Sequence, residues 1–444
     1  MTLTKQALQQ IYEPSVYDEG VPFDVLQRCQ AAGPVIWIDE QATQNWPGGK
    51  GFWFVTHHRE VMQVLKTPKL FSSWLGGTQM RDPATPGDLD YVRRMMLNMD
   101  PPEHSRLRRL LVNSFTPTAV RQLKQKIEHN AELILDRVIR DHANGECNFT
   151  LDIAADMPLM SLADMLGMPA EDRYLMFDWA NRVIGFQDPE YASSDKFDLE
   201  QGSAIAREAL SLRPQADTNG RMPDPRTRAG MPDLYHYAHL LAEQKRRKPQ
   251  DDIVSILLKQ VDDEGGVMGL DEFENMFWLF AVAGNETLRN GIPGGMIALL
   301  EHPQAMQACQ QNPALLETAV DEMLRWWTPV MNFRRTVTQD TEFAGQSMRE
   351  GDKIIVSFTA ANRDPKVFEN PETFDITRQP NPHLAFGYGP HFCLGAELAR
   401  LQMRTLFTQI FKRLDNIQLA GKPTFLRSNF QRGVKNLPIT FEIK

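Results

Sequence analysis

The chain has 444 residues, of which 42% are hydrophobic and 24% are charged, and its formal net charge is −9. This composition is typical of a packed globular protein and excludes a disordered chain, a collagen and a bundle of membrane helices. Acidic and basic residues are interspersed, which argues against a nucleic-acid-binding groove. At roughly 100–200 residues per domain, the length allows two or three domains or one large enzyme-like fold.

The cysteines and the N-terminal segment give expectations about the compartment. No two of the four cysteines form a CxxC pair, so neither a disulfide framework nor a ribbon-type zinc site is supported. The first 20 residues lack the pattern of a signal peptide, and no apolar run approaches the ~20 residues that a bilayer requires. We therefore expect a cytoplasmic protein with reduced thiols and no membrane anchor.

The first part of the chain predicts two strands followed by helices. Residues 33–56 alternate β-branched or aromatic residues with polar ones around a glycine-rich turn, which predicts two strands. The segment HHREVMQVLKTP has helical spacing and predicts a helix that ends before Pro68. From Asp100, DPPEHSRLRRLLVNSF predicts a helix with two prolines at its start and with His104 and Arg108 on one face.

The chain from about residue 120 onwards is predicted to be helical at first and, after Pro329, to contain both strands and a helix. Residues 120–330 have helical periodicity, except for a polar stretch at about 187–231 that we interpret as an irregular excursion between two helices. After Pro329, the runs FRRTVT and KIIVSFTAA predict short strands. A last helix at about 394–414 precedes two strand-like runs. The sequence thus predicts a mainly α protein with small β-sheets at two places in the chain.

One segment near the C-terminus, FGYGPHFCLGA at residues 386–396, carries the strongest functional signal. Its glycines allow the backbone to turn tightly around Cys393 and to approach a large flat ligand. A helix that begins just after Cys393 would place its positive end near the sulfur and favour a thiolate. The alternative is a buried cysteine that packs as a small hydrophobe, an interpretation that fits Cys29, Cys147 and Cys309.

This segment resembles the cysteine-ligand signature of the cytochrome P450 family, the haem-thiolate monooxygenases. The family pattern is Phe-Gly-x-Gly, a basic residue or His, Cys and then Gly, and it is matched at every position. Two further motifs stand in the family's order: AGNET at 283–287, and a Glu-x-x-Arg pair at Glu322 and Arg325. The resemblance implies one cytochrome P450 domain over 1–444, with a β-containing part at about 33–70, a helical body at about 100–330 and a β and Cys-ligand region at about 330–444. It also implies a long central helix over the haem and a Cys-ligand loop before a C-terminal helix.

The resemblance implies haem b as the cofactor, with Cys393 as the axial ligand of the iron. For each basic residue taken alone, an exposed surface role is the alternative. The implied haem-binding residues are Cys393, Phe386, Gly387 and Ala283 and, at the propionates, His104, Arg108, Arg335 and His391.

Two pairs of residues have implied roles, one in the delivery of protons and one in the structure. Thr287 and Glu286 occupy the positions that arrange water and protons for dioxygen; the alternative is a helix cap or a solvated pair. Glu322 and Arg325 match a pair that is buried in the family, with Arg378 as a candidate third member. Without the resemblance, the pair would be an exposed one worth about 0.3–0.5 kcal/mol.

The implied reaction inserts one oxygen atom of the co-substrate O2 into a C–H bond, because a thiolate ligand favours cleavage of the O–O bond. The chain contains no flavin or iron–sulfur signature. Its electrons are therefore expected from a ferredoxin and a ferredoxin reductase, with docking near Arg106 and Arg109. We expect the protein to act as a monomer.

The expected substrate is a small hydrophobic molecule. The segments FSSWLGGT and NMDPPEH resemble the bacterial subgroup that oxidises branched lipids, sterols and terpenes, which implies a terpenoid, a steroid or a branched fatty-acyl compound. Two alternatives remain: a linear alkane or fatty-acid hydroxylase, and a haem-binding sensor without turnover. The expected pocket residues, each of which could instead be core filler, are Leu279, Val330, Met331, Trp74 and Met95.

Two further expectations concern the helices around this pocket. Pro293 lies six residues after Thr287, where a proline removes a backbone hydrogen bond, and predicts a kink or break between Arg289 and Pro293. The excursion at 187–231 is predicted to gate access of the substrate.

Overall fold

The computed structural model describes residues 3–195, 197–218, 222–225, 227–259 and 270–444, except for the side chain of Leu270. The chain divides into two compact units. Unit 1 comprises Met1–Asp82, Lys124–Met157 and Thr287–Lys444, and unit 2 comprises Pro83–Leu123 and Pro158–Glu286. The single domain that the sequence predicts over 1–444 stays a prediction.

Helices form most of the regular structure, with short strands near both ends of the chain. The α-helices are α1 Lys5–Gln9, α2 Phe23–Ala32, α3 His58–Lys66, α4 Pro86–Val92, α5 Glu103–Val112, α6 Pro117–Gln122, α7 Lys124–Asp141, α8 Asp156–Leu166, α9 Arg173–Ile184, α10 Pro189–Ala192, α11 Ala204–Leu210, α12 Pro232–Arg247, α13 Ile253–Lys259, α14 Leu270–Ala283, α15 Glu286–Glu301, α16 Pro303–Gln311, α17 Leu316–Trp327, α18 Phe358–Ala361 and α19 Ala396–Arg413. The strands are β1 Val35–Ile38, β2 Phe52–Val55, β3 Phe71–Ser72, β4 Glu146–Asn148, β5 Asn332–Val337, β6 Thr341–Phe343, β7 Gln346–Met348, β8 Lys353–Ser357, β9 Leu414–Leu419, β10 Thr424–Phe425, β11 Val434–Asn436 and β12 Pro438–Ile443. The predicted mainly α fold with small sheets is confirmed.

Unit 1 is built around a five-stranded sheet of order β1-β2-β8-β5-β3. Its neighbours are antiparallel except β2 and β8, which run parallel with Trp53 opposite Ile354. Three smaller sheets join β10 to β11, β6 to β7, and β4 and β9 to β12. The two strands predicted within 33–56 are β1 and β2, as expected from their apolar alternation.

Helix α3 covers one face of this sheet. Val61, Val64 and Leu65 are buried and pack in one core cluster with Val55 and Val356 of the strands. The helix ends at Lys66, two residues before Pro68, because proline cannot continue it. The predicted boundaries of α3 are therefore confirmed, as is the helix α5 that begins after the prolines of DPPEH.

Unit 2 is helical, and every strand of the described residues lies in unit 1. Trp179 of α9 contacts the rings of Tyr237 in α12 and Phe277 in α14, with centroids 5.3 Å and 6.2 Å apart. The indole N–H of Trp179 donates to the buried carboxylate of Asp233 at 3.0 Å. Aromatic packing and a buried acceptor thus join three helices of this unit.

The polar stretch at 187–231 is more ordered than the sequence predicts. It contains α10 and α11, although Lys196, Asn219, Gly220, Arg221 and Arg226 lie outside the described residues. Helix α11 begins after Ser203, whose hydroxyl caps the N–H of Ala206, and Asp172 accepts the N–H and the hydroxyl of Ser203 at 2.8 Å and 2.6 Å. The prediction of an irregular excursion was wrong for these segments because a tertiary contact at Asp172 fixes the helix start.

The break predicted between Arg289 and Pro293 is absent. Helix α15 continues through Pro293, and the interruption lies at Gly284 and Asn285, within AGNET. Close packing compensates for the hydrogen bond that proline removes, since a Cβ on Gly294 would lie 2.1 Å from the ring of Trp327 in α17. The prediction was wrong because propensity alone does not register this packing.

The last part of unit 1 largely follows the sequence prediction. FRRTVT forms β5 and KIIVS forms β8, but FTAA forms the short helix α18, not a strand, because the hydroxyl of Ser357 caps the N–H of Ala360 at 3.1 Å. The predicted final helix is α19, followed by strands. Among the described residues, none of the helices combines the length and apolarity needed to cross a bilayer.

Candidate functional site

The loop at 386–396 holds Cys393 at the surface of unit 1. The N–H of Cys393 donates to the carbonyl of Phe386 at 2.8 Å, which closes the loop. Gly387 and Gly389 have φ of +71° and +72°, a backbone conformation that favours glycine. The side chain of Cys393 is exposed, and α19 begins three residues later at Ala396. The positive end of a long helix therefore lies near an accessible thiol.

Close contacts fix this loop against α3. A Cβ on Gly389 would lie 2.6 Å from the carbonyl oxygen of Leu65, so a larger residue cannot fit without displacing backbone. His391 also contacts the segment after α3, because its Nε2 lies 3.4 Å from the hydroxyl of Ser73. Ser73 is fully buried. Backbone packing against Leu65 and the contact of His391 with Ser73 thus hold this side of the loop.

A group of charged side chains supports the other side of the loop. The guanidinium of Arg400 lies 4.6 Å from the centre of the Phe386 ring and donates to Asp321 at 2.8 Å. His383 contacts the same carboxylate at 3.0 Å. Burial raises the pKa of Asp321, but the hydrogen bonds and charges of His383 and Arg400 outweigh burial and hold it below the usual value. Asp321 therefore links α17, α19 and the Cys393 loop as an anion.

Glu322 and Arg325 form a fully buried ion pair in α17. Two hydrogen bonds of 2.7 Å and 2.8 Å join them. Arg325 also donates to the carbonyls of Asn362 and Pro371, each at 2.9 Å. Arg378 is the third member, with its Nε 3.2 Å from Glu322. Glu322 additionally accepts the N–H of Asp375, so the cluster fixes the segment that leads to the Cys393 loop.

The four predicted propionate-binding residues are divided between the units. Arg335 is buried on β5 and donates to the carbonyl of Arg334 at 2.7 Å, and His391 lies in the Cys393 loop, so both belong to unit 1. His104 and Arg108 lie on α5 in unit 2, where His104 is buried and Arg108 is half-buried. The structure thus places each pair within its own unit.

The junction between α14 and α15 carries the predicted proton-transfer residues. Ala283 and Gly284 are exposed although they adjoin buried stretches of both helices, while Glu286 is fully buried and Thr287 is half-buried. The side-chain amide of Asn285 donates to the carbonyl of Met176 at 3.2 Å. An accessible small-residue surface therefore stands beside a buried acid.

The predicted pocket residues differ in exposure. Met95 and Leu279 lie in unit 2, the first buried and the second half-buried. Val330 and Met331 both lie just before β5 in unit 1; Val330 is half-buried and Met331 is buried. Trp74 is exposed. These positions stay predictions of a pocket lining.

The donor set fits a haem with one thiolate ligand. Of the four cysteines, all of which the structure describes, Cys393 alone is exposed. Burial raises the pKa of Cys29 and Cys147 to about 12 and that of Cys309 to about 11, which disfavours thiolates there. Cys393 would hold the iron, and Arg335 and His391 of the same unit would serve the propionates.

Several supporting residues were missed by sequence reasoning. Ser73, Asp321 and the carbonyl of Leu65 contact the Cys393 loop or its neighbours from positions far away in sequence. No spacing rule links these three to Cys393. Arg400 lies close by in sequence, on α19 just after the loop, and contacts the ring of Phe386. Arg106, by contrast, was predicted for partner docking, but it forms ion pairs with Glu103 and Glu272 within unit 2.

Comparison with known proteins gives consistent matches over nearly the whole chain. The family model described as cytochrome P450 matches residues 236–442. A steroid C26-monooxygenase of Rhodococcus jostii is 33% identical over 97% of this chain and 84% of its own length. Cytochrome P450-terp of a Pseudomonas species is 34% identical over 91% and 92%. The structure of Mycobacterium marinum cytochrome P450 CYP268A2 in complex with pseudoionone has a TM-score of 0.79, 33% identity and 94% coverage of both chains.

Proposed function

The chain belongs to the cytochrome P450 family and is a haem-thiolate monooxygenase, and we propose that it hydroxylates a terpenoid, steroid or branched fatty-acyl compound. The observation that carries the proposal is similarity over nearly the full chain to a steroid monooxygenase, together with the exposed Cys393 in a fully matched signature. A P450-terp relative and a structure solved with pseudoionone support an apolar, branched substrate.

We propose that the cofactor is haem b and that the Cys393 thiolate would hold its iron. When bound, the haem supplies cleavage of dioxygen and transfer of one oxygen atom to carbon. The chain's share begins with the loop contacts at Leu65 and Phe386, which hold the sulfur in place. The positive charges of Arg335, Arg108, His391 and His104 would compensate the propionates.

We propose that Thr287 and Glu286 handle the two protons of the reaction. The helix is interrupted at Gly284 and Asn285, just before Thr287, and the threonine hydroxyl can hold water there. Glu286 is fully buried and can pass a proton from the protein side. These two groups, rather than bulk solvent, would then set the protonation of the reacting oxygen.

We propose that Leu279, Met95, Val330, Met331 and Trp74 form the substrate contacts. Their side chains are apolar, and Met adapts to irregular shapes, which suits a branched hydrocarbon. The segment 187–231, which contains α10 and α11, would gate access. An uncharged, apolar substrate needs no charged side chain as a counter-ion in this pocket.

We propose that separate redox proteins, a ferredoxin and its reductase, supply the electrons. Because Arg106 is already paired with two carboxylates, Lys66 is the better docking candidate in unit 1: it is exposed at the end of α3, next to the Gly389 contact. We also propose a monomer in the cytoplasm, where four free thiols would stay reduced.

Turnover with a surrogate ferredoxin pair tests the function. NADH consumption and product formation are measured against a panel of terpenes, steroids, branched fatty acids and linear fatty acids or alkanes. Hydroxylated terpenoid, steroid or branched product supports the proposal. Product from linear compounds alone would favour the alkane or fatty-acid hydroxylase.

The spectrum of the reduced, carbon-monoxide-treated protein separates the remaining alternatives. The red-shifted Soret band of thiolate ligation is expected. That band without any product would favour a sensor, whereas a spectrum of His ligation would overturn the role of Cys393. Spin-state titration with the same panel ranks the substrates.

A further inference from the structure

Helix α14 of unit 2 carries a stripe of side chains whose exposure rises towards the end of the helix. Asn275, Leu279 and Ala283 follow one another at intervals of four residues and share a face of the helix. Asn275 is buried, Leu279 is half-buried and Ala283 is exposed. In the function proposed above, Leu279 contacts the substrate and Ala283 the haem. Asn275 lies at the buried end of the same stripe, about 12 Å from Ala283 at a rise of ~1.5 Å per residue.

The side-chain amide of Asn275 has an acceptor that the described part of the chain leaves unused. Its Nδ2 donates to the carbonyl of Asp271 at 2.8 Å. This bond fixes the orientation of the amide, because the reversed amide would place two acceptors against each other. Asn275 is only 2% exposed, and its Oδ1 has no hydrogen-bond donor among the described residues. Buried acceptors of proteins normally have a donor, so a partner from outside the chain is indicated.

A buried donor lies beside this acceptor. Trp278 follows Asn275 by three residues, a spacing that makes the two neighbours on the helix surface, with Cβ atoms about 5–6 Å apart. Trp278 is 6% exposed, and its indole N–H has no acceptor within the described ranges. By contrast, the indole N–H groups of the buried Trp46, Trp179 and Trp327 donate at 3.0 Å, 3.0 Å and 2.9 Å. One helix therefore presents an unused acceptor and an unused donor side by side.

The charged group next to this pair is already engaged. Glu274 is buried and accepts from Arg228 at 2.9 Å. The guanidinium of Arg228 also lies 4.7 Å from the centre of the Tyr235 ring, and the Tyr235 hydroxyl bonds to that of Tyr91. The two unused groups are themselves neutral. They favour an uncharged polar partner over an ion.

A hydroxyl group satisfies both unused groups at once. It can donate its hydrogen to Oδ1 of Asn275 and accept from Nε1 of Trp278. A ketone can accept from Trp278 but leaves the Asn275 acceptor without a donor, and a hydrocarbon leaves both groups without a partner. The chemistry of the pair therefore matches an alcohol better than either.

We propose that Asn275 and Trp278 bind an alcohol hydroxyl of the substrate, at the end remote from the carbon that is oxidised. The proposal rests on the function proposed above and narrows its substrate class to alcohols, such as a sterol or a terpenoid alcohol. The apolar body of the substrate would lie along Leu279. Selectivity follows because a site that hydrogen-bonds a hydroxyl discriminates against the analogue that lacks it.

Binding of matched ligands tests this site without turnover. The spin-state shift of the holoprotein gives dissociation constants for an alcohol, a ketone and a hydrocarbon of the same skeleton, in a steroid set, a terpenoid set and a linear set. The alcohol is expected to bind about 10-fold more tightly than the hydrocarbon. A preference for the alcohol confined to the linear set would support the hydroxyl site and contradict the proposed substrate class. Equal affinities within every set would overturn the hydroxyl site alone.

Variants show whether the preference arises at these two residues. Asn275→Leu keeps the approximate shape of the side chain and should weaken binding of the alcohol about 10-fold without weakening that of the hydrocarbon. Trp278→Phe should weaken the alcohol and the ketone relative to the hydrocarbon. Asn181→Leu is the control, since this buried asparagine of α9 donates to Ser194 at 2.9 Å, and it should keep the wild-type preference. An unchanged preference in Asn275→Leu would refute the site.

Crystals of the wild-type holoprotein with the tightest-binding member of the panel provide a test that does not depend on the folding of a variant. A ligand oxygen within hydrogen-bond distance of both Asn275 Oδ1 and Trp278 Nε1 supports the proposal. A water molecule in that place, with the ligand bound elsewhere, rules it out.

Discussion

The loop around Cys393 is held by backbone contact and charged side chains, whereas the α14–α15 junction is an interrupted helix held by the buried amide of Asn285. Gly389 lies against the Leu65 carbonyl, and Arg400 packs on Phe386. At the junction, Asn285 bonds to Met176, and a Cβ on Gly284 would meet the Phe280 carbonyl at 3.0 Å. The loop is therefore sensitive to shape, and the junction to side-chain chemistry.

Of the changes to these two regions, removal of the Cys393 thiol should have the largest effect. Cys393→Ser is expected to abolish the thiolate spectrum with carbon monoxide and to reduce hydroxylation below detection, because a hydroxyl does not donate like a thiolate. The control is Cys309→Ala, a buried thiol with a raised pKa that should keep the spectrum. A thiolate band retained in Cys393→Ser would contradict the assignment.

Removal of the buried carboxylate of Glu322, which fixes the segment before the loop, should have the second-largest effect. Glu322→Gln leaves Arg325 and Arg378 without their anion and is expected to cost about 3–5 kcal/mol of unfolding free energy. Urea denaturation measures it. Glu317→Gln on the same helix removes an exposed partner of Arg404 and should cost about 0.2–1 kcal/mol. Equal losses in the two variants would show that the Glu322 cluster does not anchor the loop.

A side-chain change at the junction should alter chemistry without altering stability. Thr287→Ala is expected to reduce product formation by about 100-fold while NADH consumption continues. This factor is the lower end of the rate enhancement that a positioned proton-transfer group provides. Thr408→Ala is the matched control, since Thr408 is a half-buried helical threonine whose hydroxyl donates to Arg404 at 2.7 Å. Unchanged product per NADH in Thr287→Ala would remove the threonine from the proton path.

A backbone change in the loop should show the opposite pattern, with stability affected first. Gly389→Ala forces a side chain into a left-handed conformation and against Leu65, with an expected cost of about 2 kcal/mol. Gly87→Ala in α4 is the control, because Gly87 is exposed, its φ lies outside the left-handed region and an added Cβ would meet only the hydroxyl oxygen of Thr85, at 3.7 Å. Denaturation midpoints of the two holoproteins provide the measurement; indistinguishable values would mean that the loop is not sterically fixed.

Local patterns predicted much of the fold. Apolar periodicity and prolines located α3 and α5, and β-branched runs located β5 and β8. The missed features depend on single contacts. Asp172 fixes the start of α11 and Ser357 caps α18. Gly294 packs against Trp327 in helix α15, which continues through Pro293. The contacts of Asp172 and Gly294 join residues far apart in sequence, so no local rule contains them, whereas Ser357 is a local N-cap only three residues before Ala360.

The site divides in the same way. A contiguous signature was enough to predict Cys393 as the ligand. An i,i+3 spacing put Glu322 and Arg325 on one helix face, but only the family resemblance implied that the pair is buried. Asp321 and Arg400 support the loop through positions brought together by packing of α17 on α19.

The parallel pairing of β2 with β8 has a consequence for the order of events during synthesis. Trp53 pairs with Ile354, about 300 positions later. At about 5–20 residues per second, the ribosome delivers β8 some 15–60 s after β2 has emerged. During that interval one edge of the β1–β2 hairpin has no neighbour and can pair with other chains. Chains that stop before Ser357 should therefore aggregate, and the nascent protein should depend on chaperones until its last quarter is made.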